Sequence, residues 1–264
     1  VVETMLVKLF SPKEIIDQNT QRWILDTFAW AIENFDINVL KNDARLILPT
    51  NDFYPGTVSS IDEMAQAMFV KTKNYAGMQK WPIELVSTAP TSVTTINDLA
   101  LGTSLRGEQA EVSLSPESSP LMLGFTPQQV NQPQDFIAAI TQALAGILVT
   151  SNKVLPPGGQ AYLPQAIDLV ACFMGFGVIF ANTAYQFRGG CGTCNNASLN
   201  RQAALTEPET LYALALFCVL KKQPMKSIKG HLKSHLRKDF ASAYKSIEQS
   251  LSSSTQPALL AMVS

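Results

Sequence analysis

The stretches IAAITQALAGILV at residues 137–149 and LVACFMGFGVIFA at residues 169–181 decide how this chain is read. Each is an apolar run of about thirteen residues, short of the roughly twenty needed to span a bilayer. They predict two buried core helices rather than membrane spans. Asp168 stands just ahead of the second run. A carboxylate buried there must be paired or protonated. Gly175 and Gly177 lie inside the second run. They predict close approach of a neighbouring helix. Phosphate binding would need a third glycine and a preceding strand.

Outward from these runs, helix starts are well marked. Ser11-Pro12-Lys13-Glu14 has the pattern of a capping serine, a first-turn proline and a glutamate. The helix it predicts reaches to about residue 35, with Ile15, Ile16, Trp23, Ile24, Phe28 and Ile32 on one face. A short strand is predicted over about residues 45–48, stopped by Pro49. Ser60-Ile61-Asp62-Glu63 is a second capping box. Between residues 82 and 125, Thr, Ser and Val dominate and the periodicity shortens, so the sheet is expected there. Thr126–Gln129 or Asn131–Gln134 opens the first apolar helix, which ends near residue 150. SNKVLPPGGQA at 151–161 is a breaker-rich loop, and the second apolar helix follows to about residue 187. Residues 188–204 lack periodicity and predict a long loop. Thr206-Glu207-Pro208-Glu209 caps a helix to about residue 221, and a last helix covers about 229–251. The expectation is one domain over 1–264, mainly helical α+β with a small β-sheet. Its sheet-containing half is about 1–130, its helical half about 131–252, and its tail 253–264.

Composition narrows the function classes. Hydrophobic residues are 46% of the chain and charged residues 16%, so a real core is available and disorder is not indicated. The net charge of −1 supplies no global field to recruit nucleic acid or an anionic surface. VVETMLVKLFSPKE lacks the basic and apolar regions of a secretory signal. Four cysteines, two isolated and two in a pair, do not make a disulfide framework. A cytoplasmic protein is expected. No Gly-x-Ser-x-Gly, phosphate loop or readable carboxylate pair occurs.

In order, spacing and wording, the two apolar runs resemble a family of uncharacterised bacterial proteins with a zincin-like, metallopeptidase-type core. The resemblance also takes in LILPTNDFYPGTVSS (46–60), IDEMAQAMFVKTKNYAGM (61–78), PIELV (82–86) and LTEPETLYALALFCVL (205–220), roughly three quarters of the chain on a domain scale. Its most specific element is IDL-x(5)-GFG-x(3)-AN, beginning at Ile167. In that family the first run carries His-Glu-x-x-His, and the second opens with an acidic residue. The resemblance implies a zincin-like fold, and it places the vacated motif at Gln142, Ala143 and Gly146, with Asp168 opposite. Two histidines at i and i+4 share a metal, and the glutamate between them serves as general base. Here the three positions carry an amide, a methyl group and no side chain. No metal or other cofactor is expected at that motif. Gln142 and Asp168 either line a remnant pocket, or Gln142 is hydrogen-bonded in the core and Asp168 caps its helix or meets a base.

Two other features carry chemistry. Cys191 and Cys194 form C-x2-C, and His231 and His235 form H-x3-H, a pair that shares a face if helical. Together they have the donor types of a structural zinc site, although the pairs are far apart in sequence. The alternative is two loop thiols and two solvent-facing imidazoles. Lys221, Lys222, Lys226, Lys229, Lys233, Arg237 and Lys238 make a basic stretch opposed only by Asp239. It reads as a solvated face, or as a surface for an acidic partner. Nucleic acid is not expected, for want of interleaved aromatics. The function expected is that of a catalytically inactive zincin-like protein acting as a binding or scaffold domain for a protein or peptide. The alternatives are a metal-dependent hydrolase with a non-standard site, or a protein with a structural zinc at the cysteine and histidine pairs.

Overall fold

Asp17 begins the first helix. Its carboxylate accepts hydrogen bonds from the amides of Asn19 (3.0 Å) and Thr20 (3.1 Å), two of the donors a helix start leaves unpaired. The computed structural model describes residues 14–56, 59–87, 99–116, 118–184 and 201–252. Helix α1 covers Gln18–Asn34, so it starts later than the Ser11 motif predicts; residues 11–13 lie outside the described ones. A π-helical turn follows at Val39–Asp43. Helix α2 is Ile61–Tyr75, and Ser60 caps it by accepting from the Glu63 amide at 3.1 Å.

The expected strand at 45–48 is not one. The segment is extended, but the Ile47 amide donates to the carbonyl of Gly175 (2.9 Å), inside the second apolar run, rather than to a strand. Strands β1 (Ile83–Val86), β2 (Leu99–Leu101), β3 (Val112–Leu114) and β4 (Leu121–Gly124) form two ladders instead of one sheet. β1 pairs in parallel with β4, and β2 antiparallel with β3.

Of the two predicted starts of the first apolar helix, Thr126–Gln129 opens a separate short helix, and Asn131 ends that helix while Gln132 stands at the N-cap of the long one. Thr126 caps a short helix α3 (Pro127–Val130), and α4 then runs over Pro133–Ser151. The breaker-rich loop is anchored on α1: the indole N–H groups of Trp23 and Trp30 donate to the carbonyls of Pro157 (2.9 Å) and Val154 (3.3 Å). The second apolar helix is a composite. It consists of α5 (Leu163–Ala171), a π-helical turn (Cys172–Phe176) and α6 (Gly177–Asn182), and it ends before residue 187. Gly175 breaks it with φ of 99°, and a Cβ there would overlap the Arg45 carbonyl oxygen. The close approach at Gly175 is therefore to the extended 44–48 segment, whereas Gly177 sits against another helix, at Leu214.

That helix is α7 (Glu207–Leu220), opened by a reciprocal capping box of Thr206 and Glu209. It is apolar all round and so must be buried. It packs on α1, α5, α6 and the π turn at Cys172–Phe176. After α8 (Met225–Lys229), helix α9 (Arg237–Ser252) covers it with Phe240, Ala243, Tyr244 and Ile247. α4 lies alongside α5 and α6, with α2 on another side. One hydrophobic cluster runs from Ile24 to Leu251.

Two helical stretches, Pro133–Ser151 (19 residues) and Gly159–Asn182 (24 residues), are long and apolar enough to cross a membrane on length and composition alone. Both therefore exceed the thirteen-residue cores visible in the sequence. Half of the first apolar window and 78% of the second are buried against the rest of the chain, which is how core helices are placed.

Candidate functional site

Helix α4 turns Gln142 and Ala143 toward a cleft of about 430 Å³, also lined by Leu163, Ile167, Arg201 and Gln202. Gly146, one turn on, has Ile167 Cδ1 at 3.8 Å from where its Cβ would be. From α5, Asp168 reaches the same face of α4. Gln142 Nε2 donates to Asp168 Oδ1 at 2.7 Å and to the Gln202 carbonyl at 2.9 Å. The amide of Gln142 is thus a donor to the acidic residue of the second run.

The other oxygen of Asp168 is also taken. Oδ2 accepts from Arg201 Nη1 at 3.0 Å and from the backbone amides of Ala204 (2.8 Å) and Leu205 (3.2 Å). The carboxylate is 1% exposed and so has four protein donors, about as many as it can accept. Arg201 is held with equal care. Nε donates to Thr183 Oγ1 at 3.2 Å and Nη2 to the Phe180 carbonyl at 2.9 Å, and the guanidinium lies 4.0 Å from the centroid of the Phe180 ring. A charged pair removed from water is tolerated only with this degree of hydrogen bonding.

Arg201 was not legible in the sequence. It stands in an aperiodic loop, and its one signal was indirect: a buried acid at 168 requires a base from somewhere.

One turn after Asp168, Cys172 is fully buried, and burial together with the Asp168 charge pushes its thiol well above the ordinary range. Burial does the same to Cys218. Neither thiol is a reactive or ligating group in that state.

The donor set does not fit zinc. It offers an amide, a methyl group, a residue without a side chain and a carboxylate already bound to a guanidinium. Among the described residues, no three His, Cys, Asp or Glu side chains are grouped so as to hold a metal ion.

The second candidate site is only half described, because Cys191 and Cys194 lie outside the described residues. His231 and His235 do not share a helix, contrary to the expected helix over 229–251. Asn182 is the reason. Its Nδ2 donates to the His231 carbonyl (2.9 Å) and its Oδ1 accepts from the Lys233 amide (3.0 Å), taking backbone groups that a continuous helix would use. His231 sits in the turn after α8. His235 lies in a 3-10 turn, Ser234–Leu236, with Nε2 3.5 Å from Glu207 Oε1. That contact is largely exposed and contributes little.

Compared with protein-family models, with curated proteins and with solved structures, the chain has no match.

Proposed function

We propose that this chain is a catalytically inactive zincin-like domain that acts in the cytoplasm by binding or scaffolding a protein or peptide. The observation that carries the proposal is the occupation of Asp168. In a metal-binding core, the acidic residue answers the charge of the metal. Here Arg201 brings that charge from within the chain, and Gln142 meets the same carboxylate from the motif position. Position 143, where the resemblance puts the general base, opens on the cleft with a methyl group that cannot take a proton. What remains is a mostly apolar recess with amide groups at its edge, of a size that suits a small ligand or a few residues of peptide.

Elemental analysis of the purified chain, paired with a peptide-hydrolysis assay, tests this. The expected result is no zinc retained through Gln142 or Asp168 and no turnover. Stoichiometric zinc with hydrolysis, both lost in Asp168→Asn, would overturn it in favour of a hydrolase with a non-standard site. Zinc lost together with thermal stability in Cys191→Ser would instead establish a structural site at the cysteine and histidine pairs.

A further inference from the structure

Three residues of the basic stretch, Lys229, Arg237 and Lys238, line a groove together with Lys245. Residues Arg237, Lys238, Ala241, Ser242 and Lys245 follow one face of α9, and Lys229 from α8 stands across from them, enclosing about 900 Å³. The opposite face of α9 is fixed on α7 through Phe240, Ala243, Tyr244 and Ile247. The groove is floored by the small side chains of Ala241 and Ser242 and rimmed by cations. Arg237 is held at one end, with Nε donating to the Leu232 carbonyl (2.9 Å) and Nη2 to the Gly230 carbonyl (3.3 Å). Lys229, Lys238 and Lys245 are exposed, and none is ion-paired among the described residues. The two acids of α9, Asp239 and Glu248, do not line the groove.

We propose that this groove docks a short acidic segment of a protein partner. Charge distribution sets the length of the occupant. The groove holds four of the 20 basic residues and no acidic one, leaving 16 basic residues against all 21 acidic ones, or −5, on the rest of the chain. A long polyanion such as duplex nucleic acid, with a charge about every 1.7 Å, extends past the groove and meets that acidic remainder. A short acidic peptide meets only the groove. The sequence pI of about 6.2 points the same way. A membrane surface is disfavoured because the large exposed apolar side chains, Ile61, Val70, Val154, Leu155 and Tyr162, include none on α8 or α9. The proposal does not depend on the cleft beside Gln142.

Fluorescence anisotropy with a labelled oligo-glutamate peptide tests it on the whole chain. Binding is expected at roughly 50 mM salt and should weaken steeply by roughly 200 mM, as screening shortens the reach of the lysines. The double variant Lys238→Glu/Lys245→Glu should weaken it by about tenfold or more. Lys80→Glu/Lys153→Glu, with the same change in net charge at exposed positions elsewhere, should leave it within about twofold. All four lysines are off the core, so circular dichroism melts should match the parent. Absence of peptide binding at low salt, or equal loss in the two variants, overturns the proposal. So does tighter binding of a duplex oligonucleotide or of phosphatidylserine vesicles. Self-association abolished by Lys238→Glu/Lys245→Glu would replace the acidic partner with a second copy of the chain.

Discussion

Arg201 and Arg106 are both buried, and the protein treats them differently. Arg201 uses Nε, Nη1 and Nη2 on protein acceptors, one of them the carboxylate of Asp168, and covers the Phe180 ring. Arg106 has a single bond, from Nε to the Ala76 carbonyl at 2.8 Å. Its Nη1 and Nη2 have no hydrogen-bond partner among the described residues, and the Phe173 ring centroid is 5.5 Å away. Burial pushes the Arg106 guanidinium down to about 10, with Asp36 and Asp43 near enough to offset part of the penalty. Both arginines rest on the same helical run, through Asp168 and Phe180 in one case and Phe173 in the other. The difference lies in what each would leave behind. Arg201 answers a buried charge, whereas the acids near Arg106 are partly or fully open to water.

The largest effect is therefore expected at Arg201. Arg201→Met leaves Asp168 buried beside amides and no cation, which should cost about 3–5 kcal/mol in urea unfolding. Arg201→Met/Asp168→Leu should recover only part of that loss: it removes the unpaired carboxylate but leaves the Ala204 and Leu205 amides and the Phe180 carbonyl without these partners. A single-variant cost under about 1 kcal/mol would mean that the pair is peripheral and that the comparison with Arg106 has no basis.

Next comes the helix break between the two sites. Gly175→Ala places a Cβ on the Arg45 carbonyl at a φ that only glycine adopts freely, and should cost more than about 2 kcal/mol. The damage should fall on the Arg106 side, where the 44–48 segment crosses the run. Hydrogen exchange resolves this: the Ile47 amide, bonded to the Gly175 carbonyl, should lose protection, while the Ala204 amide, bonded to Asp168, should keep it. Equal loss at both would join the two regions into one cooperative unit.

How much of this was legible follows from what periodicity can carry. The two apolar runs fix α4 and the α5–α6 composite, and i, i+4 spacing puts Gln142 and Gly146 on one face, where Asp168 meets it. Capping boxes at Ser60 and Thr206 depend on local donors and acceptors, so they were readable. Arg201 and Arg106 act across long sequence separations from positions without a pattern, and Asn182, though it ends the IDL-x(5)-GFG-x(3)-AN motif, acts on a turn about fifty residues on that no local rule connects to it. The 45–48 segment looked like a strand because its residues favour extended backbone. Its partner is a helix break, and that pairing was invisible in the sequence. His231 and His235 failed as a helical pair because a distant asparagine outcompetes the local helix.

A smaller effect should separate the two arginines directly. Arg106→Met removes a poorly bonded cation and leaves one buried carbonyl, that of Ala76, without its donor. The cost should be under about 2 kcal/mol, clearly below that of Arg201→Met in the same urea series. The reverse order would show that Asp36 and Asp43 depend on Arg106 as strongly as Asp168 depends on Arg201.

The smallest effect is expected at Gln142, the residue that meets Asp168 from helix α4. Gln142→Ala removes the one donor on Asp168 Oδ1 among the described residues, but Oδ2 keeps Arg201 and two backbone amides. The loss should be about 1 kcal/mol, because Gln142 is half-buried at the cleft and water can take over its two hydrogen bonds, to Asp168 Oδ1 and to the Gln202 carbonyl. In the Arg201→Met background the same change should cost more, because among the described residues Gln142 is then the only side chain still donating to the carboxylate. The double-mutant cycle should therefore show coupling of more than about 0.5 kcal/mol. Additive losses would mean that Gln142 and Arg201 do not act on Asp168 together. The amide at position 142 would then be packing in the cleft wall rather than part of what holds the buried carboxylate.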